Sequence, residues 1–263
     1  MATDYKTIAI EAARAAGEII KDNHTKEVHV DYKGAVNLVT NVDRQCEKTI
    51  VETIWKEYPD HEILAEEGYG SGKKFPLKWI IDPLDGTTNY THRFPFFCVS
   101  IGLEIKGEMA LGVVYDPVRS ELFLAEKGKG AFLNGQPIRI SSTDDLTRSL
   151  LVTGFSYDVR ETADNNLNHF CDFSIRAQGV RRTGSAAMDF CYVAMGRFDG
   201  FWELKLHPWD SAAGSLLVQE AGGRVTDFSG KSFSVYSKDV IASNGKIHDE
   251  MVKVIQAGRT RTR

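Results

Sequence analysis

A short acidic segment holds the residues best suited to metal and phosphate chemistry. It runs from Trp79 to His92 and reads WIIDPLDGTTNYTH. Its unbroken apolar start, residues 79–81, predicts a buried strand that ends on Asp82. Asp85 follows three residues later, which in a regular strand is the opposite face. Because Pro83 fixes the backbone and removes a donor, a turn there can swing both carboxylates toward one point.

The same segment offers further polar groups. A bend would expose the carbonyl of Leu84, and Gly86 and Thr87 would present backbone amides in the first turn of a helix. A helix that begins with a glycine is suited to binding an anion. The segment therefore predicts a divalent cation beside a phosphate. A plain turn is the alternative, since Asp-Pro and Asp-Gly are common turn dipeptides.

Other acidic positions give weaker signals. Glu66 and Glu67 end a predicted strand, ahead of a glycine run that lacks the Lys-Ser/Thr of a nucleotide P-loop. Glu67 is equally consistent with a solvated surface acid. Asp43 lies near a predicted helix start, where a surface acid favoured by the helix dipole is the alternative. Asp210 stands where a helix N-cap would stand.

Composition excludes several other classes of function. The four cysteines form no CxxC pair, which argues against a zinc site or a disulfide framework and fits a reducing compartment. The seven histidines show no HxH or HxxxH pairing, as a histidine metal site would. Their spacing also gives no evidence for a Ser-His-Asp triad or a Cys-His pair. The net charge of −4 argues against a charge-dominated nucleic-acid surface. No apolar run approaches the roughly 18 residues of a membrane span, so we expect a cytoplasmic protein.

The hydrophobic pattern predicts two arrangements of secondary structure. Residues 97–133 form four short strands separated by turns, as in an antiparallel meander. After a polar stretch at 141–146, helices and strands alternate, as in α/β layering. We expect one domain with subdomains 1–140 (α+β, with an antiparallel sheet) and 141–258 (α/β), then a disordered tail, 259–263. Helices are predicted at 4–24, 161–174, 185–195 and 248–256, with one more that carries residues 46–55 and another after Pro208. The other predicted strands are 28–33, 61–65, 79–81, 150–153 and 178–180, with one near Val240.

Two longer motifs carry a resemblance to a known family. The segment from Trp79 matches the signature W-x-x-D-P-[LI]-D-G-T-x-[NF] of the inositol monophosphatase family. The runs Trp209–Gly214 and Glu220–Gly223 are similar to the family's second signature. Glu66–Glu67 resembles the acidic pair that precedes the first. The similarity extends from about residue 5 to residue 255.

The resemblance implies a fold, a cofactor and an assembly. The family's fold is a layered α-β-α-β-α sandwich of the sugar-phosphatase type, which combines α+β and α/β features. Its members are usually homodimers, and the family is sensitive to lithium. Oxygen-only ligands suit Mg²⁺. Segments 181–187 and 200–203 look like the family's substrate-side segments. Many members carry an aspartate where this chain has Asn37, which leaves open how a third, weakly held Mg²⁺ would be retained.

The resemblance also implies residue roles. Thr87 orients the attacking water, and the water's proton passes through Thr87 to Asp43. Glu66 is also implied to be a catalytic residue. Glu203 accepts hydrogen bonds from the hydroxyls of the substrate. The implied metal ligands are Glu66, Asp82, the carbonyl of Leu84, Asp85 and Asp210. The implied substrate contacts are Asp85, Gly86, Thr87, Arg181, Ser185, Ala186, Glu203 and Asp210.

These roles predict Mg²⁺-dependent hydrolysis of a small-molecule phosphate ester, with myo-inositol 1-phosphate as the expected substrate. Two metal ions would clamp the attacking and leaving oxygens of an in-line displacement. Fructose-1,6-bisphosphatase, histidinol-phosphatase and bisphosphate nucleotidase activities are alternatives that share the same ligands. A regulatory binding partner of the transcription or ribosomal-RNA machinery is an alternative of another class.

Overall fold

The structure, a computed structural model, describes residues 4–26, 29–32, 38–68 and 76–259. Asn37, the glycines Gly70 and Gly72, both ends of the strand predicted at 28–33 and nearly all of the predicted tail lie outside these ranges. The described helices are α1 (Tyr5–Asn23), α2 (Asn41–Glu57), α3 (Thr87–Thr91), α4 (Leu167–Ser174), α5 (Ala186–Ala194), α6 (Pro208–Glu220) and α7 (His248–Arg259). The described strands are β1 (Val30–Tyr32), β2 (Leu38–Thr40), β3 (Glu62–Ala65), β4 (Leu77–Asp85), β5 (Cys98–Ile105), β6 (Glu108–Asp116), β7 (Glu121–Glu126), β8 (Gly130–Leu133), β9 (Gln136–Pro137), β10 (Leu150–Thr153), β11 (Gly179–Arg181), β12 (Gly200–Leu204), β13 (Arg224–Thr226) and β14 (Asp239–Ser243).

Helix α1 confirms the helix predicted at 4–24 and buries one apolar face. Asp4 caps the helix by accepting a hydrogen bond from the Thr7 amide at 2.8 Å. Ala12 and Ala16 are fully buried, and their small side chains let α1 pack closely on α2 and on strands β5 and β6. With α2, which also packs on β4, this helix forms an outer layer on one face of a sheet.

That sheet has seven strands in the order β3-β4-β5-β6-β7-β8-β9. The β3–β4 pair is parallel and the other neighbouring pairs are antiparallel. Strands β5 to β8 follow one another by short turns, so the predicted meander is confirmed. The sheet places the ends of β3 and β4 side by side, and these ends carry the acidic motifs.

A second sheet has five strands in the order β11-β10-β12-β14-β13. Strand β10 is parallel to both its neighbours, whereas β14 is antiparallel to β12 and β13. Helices α5 and α6 lie between the two sheets and contact strands of both. Helices α4 and α7 contact each other and pack on β11 and β14. The order of layers is therefore α-β-α-β-α, as predicted.

One predicted helix begins later in the structure, and some short strands were not predicted. The helix predicted at 161–174 begins only at Leu167, because Asn166 takes a left-handed φ of +69° and ends the preceding turns. The Asn166 side chain is held by the Trp202 indole, which donates to it at 2.7 Å. Strands β2, β9 and β13 were not predicted, since two or three residues are too few to show an alternation. The division into subdomains near residue 140 stays a prediction.

None of the helices in the described part of the chain is both long and apolar enough to cross a membrane.

A buried histidine at the start of α7 predicts sensitivity to acid. His248 is fully buried, with ring nitrogens 2.9 Å from the Thr226 hydroxyl and 2.8 Å from the Ser243 hydroxyl. Burial, together with a smaller effect of the Arg224 charge, lowers its pKa from an ordinary 6.5 to about 4. The unfolded chain therefore binds this proton more readily than the folded protein, so stability that is full above pH 6.5 is lost as the pH falls toward 4.

Between pH 7 and pH 4.5 we expect the urea midpoint of the wild type to fall relative to that of His248→Gln, which keeps hydrogen-bonding groups but does not titrate. Equal pH dependence in the two proteins would show that His248 is not responsible.

Candidate active site

A bulge in β4 brings Asp82 and Asp85 to the same face of the seven-stranded sheet. Asp82 pairs with Ser100 of β5. Asp85 pairs with Cys98, so three steps along β4 lie opposite two steps along β5. Ser100 and Cys98 are two residues apart on β5, so their side chains share a face of the sheet. The extra residue of the bulge in β4 puts Asp82 and Asp85 on that face as well. The bend predicted at Pro83 is this bulge.

Asp82 is buried among other acids. Its side chain is 2% exposed and accepts a hydrogen bond from the Leu84 amide at 3.0 Å. Burial raises the pKa of Asp82 well above its ordinary value, and the charges of Glu66, Asp85 and Asp210 raise it further. Acids that repel one another away from bulk water form a site that a cation would stabilise.

The turn after β3 presents Glu66 beside the bulge. The turn ends on Gly68, whose left-handed φ of +84° suits a glycine. The Glu66 amide donates to the Ile81 carbonyl of β4 at 3.2 Å. The Glu67 amide donates to the carboxylate of Glu47 at 2.7 Å. The backbone on both sides of the Glu66 side chain is thus fixed, by β4 and by α2.

Helix α2 also supplies the acid that holds Thr87. Asp43 is 1% exposed, so the alternative of a surface acid is wrong. One Asp43 oxygen accepts from the Thr40 amide at 2.8 Å in a capping box, and the other accepts from the Thr87 hydroxyl at 2.9 Å. The same hydroxyl lies 3.1 Å from the Leu84 carbonyl oxygen. Burial raises the pKa of Asp43, although its hydrogen bonds with the two threonines lower it.

Gly86 precedes the five-residue helix α3 at a position that requires a glycine. Its φ is +96°, and a methyl group there would lie 3.0 Å from the Phe96 carbonyl oxygen. The backbone can therefore pass close to β5 and place Gly86 and Thr87 against the cavity described below. The predicted helix start is confirmed.

Asp85 is tied to the start of α5. Its Oδ2 accepts from the Ser185 hydroxyl and from the Ala187 amide, both at 2.7 Å. Ser185 is also the N-cap of α5, so the residue that begins the helix orients the acid. Burial raises the pKa of Asp85 to about 6, and these hydrogen bonds limit the rise.

Asp210 lies in the first turn of α6, and the prediction that it stands at the N-cap is corrected. The N-cap is His207, whose amide donates to Asp210 at 2.7 Å. Asp210 is therefore the acid three residues later in a capping box, with Pro208 at the first helical position. Burial raises the pKa of Asp210 well above its ordinary value, and the Asp85 charge adds to the rise.

These side chains line one cavity of about 590 Å³. The predicted site residues that line it are Glu66, Asp82, Leu84, Asp85, Gly86, Thr87, Ser185, Ala186, Glu203 and Asp210. Asp43 lies behind Thr87 rather than in the lining. Arg181 does not line the cavity and is corrected here: it is exposed, and its guanidinium donates to the Val180 carbonyl at 3.3 Å. The neighbouring Arg182 lines the cavity instead.

The donor set of the cavity suits a hard divalent cation. Its carboxylates and the Leu84 carbonyl are the oxygen ligands that Mg²⁺ prefers. A cation would also relieve the repulsion that raises the pKa values of Asp82 and Asp210. Among the described residues, no three acidic, histidine or cysteine side chains already have the spacing of a bound ion's ligands. The side chains would therefore have to rotate toward the ion.

Glu203 of β12 also lines the cavity. A methyl group on Gly154 would overlap its carboxylate, so the glycine makes room for this acid. Burial raises the pKa of Glu203 to about 8, with the Arg182 charge acting in the opposite direction. Asp189 of α5 lines the cavity too, and the charge of Glu203 contributes to its raised pKa after burial.

Sequence reasoning missed several residues of the site. Glu47 is fully buried one helical turn after Asp43, and an acid at that spacing on an otherwise apolar face was the available signal. Arg182 adjoins the predicted Arg181. Tyr157 and Lys205 line the cavity and belong to segments with no motif.

Comparison with known proteins agrees with this geometry. The family model described as the inositol monophosphatase family matches residues 1–259. An inositol-1-monophosphatase from Synechocystis is 49% identical over 252 residues, which cover 95% of this chain and 88% of that protein. The Nus factor SuhB of Escherichia coli is 46% identical over 248 residues, 93% of each chain. The solved structure of inositol monophosphatase from Anabaena (Nostoc) is 44% identical with a TM-score of 0.88, covering 96% of this chain and 95% of that one.

Proposed function

The chain belongs to the inositol monophosphatase family, and on that basis we propose that it hydrolyses polyol phosphomonoesters with Mg²⁺, with myo-inositol 1-phosphate as the main substrate. The observation that carries the proposal is the β4 bulge, which puts Asp82 and Asp85 on one face beside Glu66 and Asp210. An anionic substrate would not enter so acidic a cavity unless cations balanced its charge.

The metal-binding part of the proposal assigns the four acids and one carbonyl. Glu66, Asp82 and the Leu84 carbonyl would hold one Mg²⁺, and Asp82, Asp85 and Asp210 a second. When bound, the metal supplies positive charge that makes an attacking water more acidic and neutralises the transferring phosphate. The amides of Gly86 and Thr87, at the start of α3, would orient the phosphate.

The Thr87–Asp43 pair would position the attacking water. The Thr87 hydroxyl has one proton, which it donates to Asp43 or to the Leu84 carbonyl. Its oxygen can therefore accept a hydrogen bond from a water in the cavity. Because burial raises the pKa of Asp43, this carboxylate is a better proton acceptor than a solvated one. The proton of the water would pass through Thr87 to Asp43.

Glu203 would select the leaving group. It lies in the cavity with Ser185 and Ala186, and its carboxyl can bond to the hydroxyls of a polyol. Above about pH 8 it is ionised in the empty cavity, and a charged acid would repel a second phosphate. These effects favour inositol 1-phosphate over fructose 1,6-bisphosphate or a bisphosphate nucleotide.

Glu203→Gln tests this choice. The substitution keeps the shape and removes the charge, so at pH 9 we expect the kcat/KM preference for inositol 1-phosphate over fructose 1,6-bisphosphate to narrow by about tenfold. At pH 7, where the wild-type carboxyl is largely protonated in the empty cavity, the change should be smaller. Phosphate release from both substrates gives the ratio in each protein. A wild-type preference for the bisphosphate would contradict the inositol assignment, and an unmoved ratio would remove Glu203 from substrate choice.

A second role, an assembly and a location are also proposed. Relatives 46% identical to this chain are named Nus factor SuhB, which favours a protein partner in the transcription machinery. Homodimer formation and a cytoplasmic location are proposed from the family. A variant without phosphatase activity that still binds RNA polymerase would separate the second role from catalysis.

A further inference from the structure

Lys205 has a backbone conformation that is unfavourable for a lysine. It follows β12 directly, and its φ of +61° lies in the left-handed region. That region costs a non-glycine residue about 1–2 kcal/mol. The Lys205 amide donates to the Lys238 carbonyl just before β14, which holds the conformation in place. The chain then turns toward α6, which carries Asp210.

The ion pair made by Lys205 returns less than this strain costs. Its Nζ lies 2.6 Å from Asp158 Oδ2, with the two side chains 28% and 43% exposed. Partly exposed pairs contribute about 0.2–1 kcal/mol. Lys106 also has a positive φ, +54°, but it lies with Gly107 in a two-residue hairpin turn that requires that conformation. The strain at Lys205 has no such explanation, and unexplained strain points to function.

Among the described residues that line the cavity, Lys205 is the lysine and Arg182 the arginine, and His207 is the third basic side chain. Seven carboxyl groups line the same cavity. Arg182 acts on the charges of Glu203 and Asp189. Lys205 instead joins two segments of the lining, residues 154–158 and 203–207, through its pair with Asp158.

Asp158 would keep a partner if Lys205 moved. The Ser156 hydroxyl donates to Asp158 Oδ1, whereas Lys205 binds Oδ2. Exchanging Asp158 for a substrate anion would therefore leave neither group without a hydrogen bond. A substrate anion in the partly dry cavity would also interact more strongly with the ammonium than the exposed Asp158 does.

We infer that Lys205 binds a carboxylate on the leaving alcohol of the substrate, and so extends the substrate range beyond neutral polyol phosphates. This inference rests on the proposed function. Glu203 and Lys205 lie two residues apart and line the same cavity. The hydroxyls of the substrate would bind to Glu203 and its carboxylate to Lys205.

The test compares glycerol 2-phosphate with 2-phosphoglycerate, which differ by one carboxylate, in phosphate-release assays with Mg²⁺. Lys205→Gly removes the cation and suits the positive φ, so the protein should fold. We expect it to lower kcat/KM for 2-phosphoglycerate relative to glycerol 2-phosphate by about tenfold, through KM. Asp158→Asn weakens the competing pair and should shift the ratio in the opposite direction. Lys106→Gly, the matched control, should leave the ratio unchanged.

An unmoved ratio in Lys205→Gly, with both substrates hydrolysed, would overturn the inference and leave the proposed function intact. Equal losses in Lys205→Gly and Asp158→Asn would overturn it as well, because the pair would then only brace the cavity walls. No phosphate release by the wild type from either ester or from inositol 1-phosphate would overturn both proposals.

Discussion

Asp210→Asn should reduce phosphatase activity by about a thousandfold while the protein remains folded. The asparagine can still accept the hydrogen bond from the His207 amide, so the capping box at the start of α6 survives. The lost charge, however, removes a ligand from a site whose cation stabilises the transition state by several kcal/mol. Each 1.4 kcal/mol corresponds to about a tenfold change in rate. Phosphate release, measured with Mg²⁺ at a saturating concentration of inositol 1-phosphate, gives the loss in kcat.

The control separates capping from metal binding. Asp145 accepts from the Thr147 amide at 2.8 Å as the N-cap of a short 3₁₀ turn, at an exposed site outside the cavity. Asp145→Asn should leave activity and thermal stability near wild type. If Asp210→Asn keeps its activity while Asp210→Ala unfolds the protein, Asp210 is a structural residue and not a ligand.

The layered fold could be predicted because its elements have regular patterns. The alanines of α1 recur with the helical period, and β5 is a short apolar run that is buried along almost its whole length. The helix start at Leu167 could not be predicted, because it depends on the indole of Trp202, distant in sequence, holding Asn166. Local patterns carry no information about such a contact.

The candidate site shows the same division. The spacing of Asp82 and Asp85 indicated a bend, and the bulge supplies it. The burial of Asp43 depends on Thr87, which lies in another element. Arg182, and not the predicted Arg181, lines the cavity because successive side chains at the end of β11 lie on different sides of the chain. A pattern that names the right segment can therefore miss the right residue by one position.

Removal of the divalent cation tests the central claim most directly. With excess EDTA we expect no phosphate release from inositol 1-phosphate, and full recovery when Mg²⁺ exceeds the chelator, because the acids around Asp82 would otherwise repel both substrate and one another. Titration calorimetry should detect Mg²⁺ binding to the wild type and weaker binding to Asp210→Asn. Full activity in excess EDTA, or equal Mg²⁺ binding by the two proteins, would contradict the account.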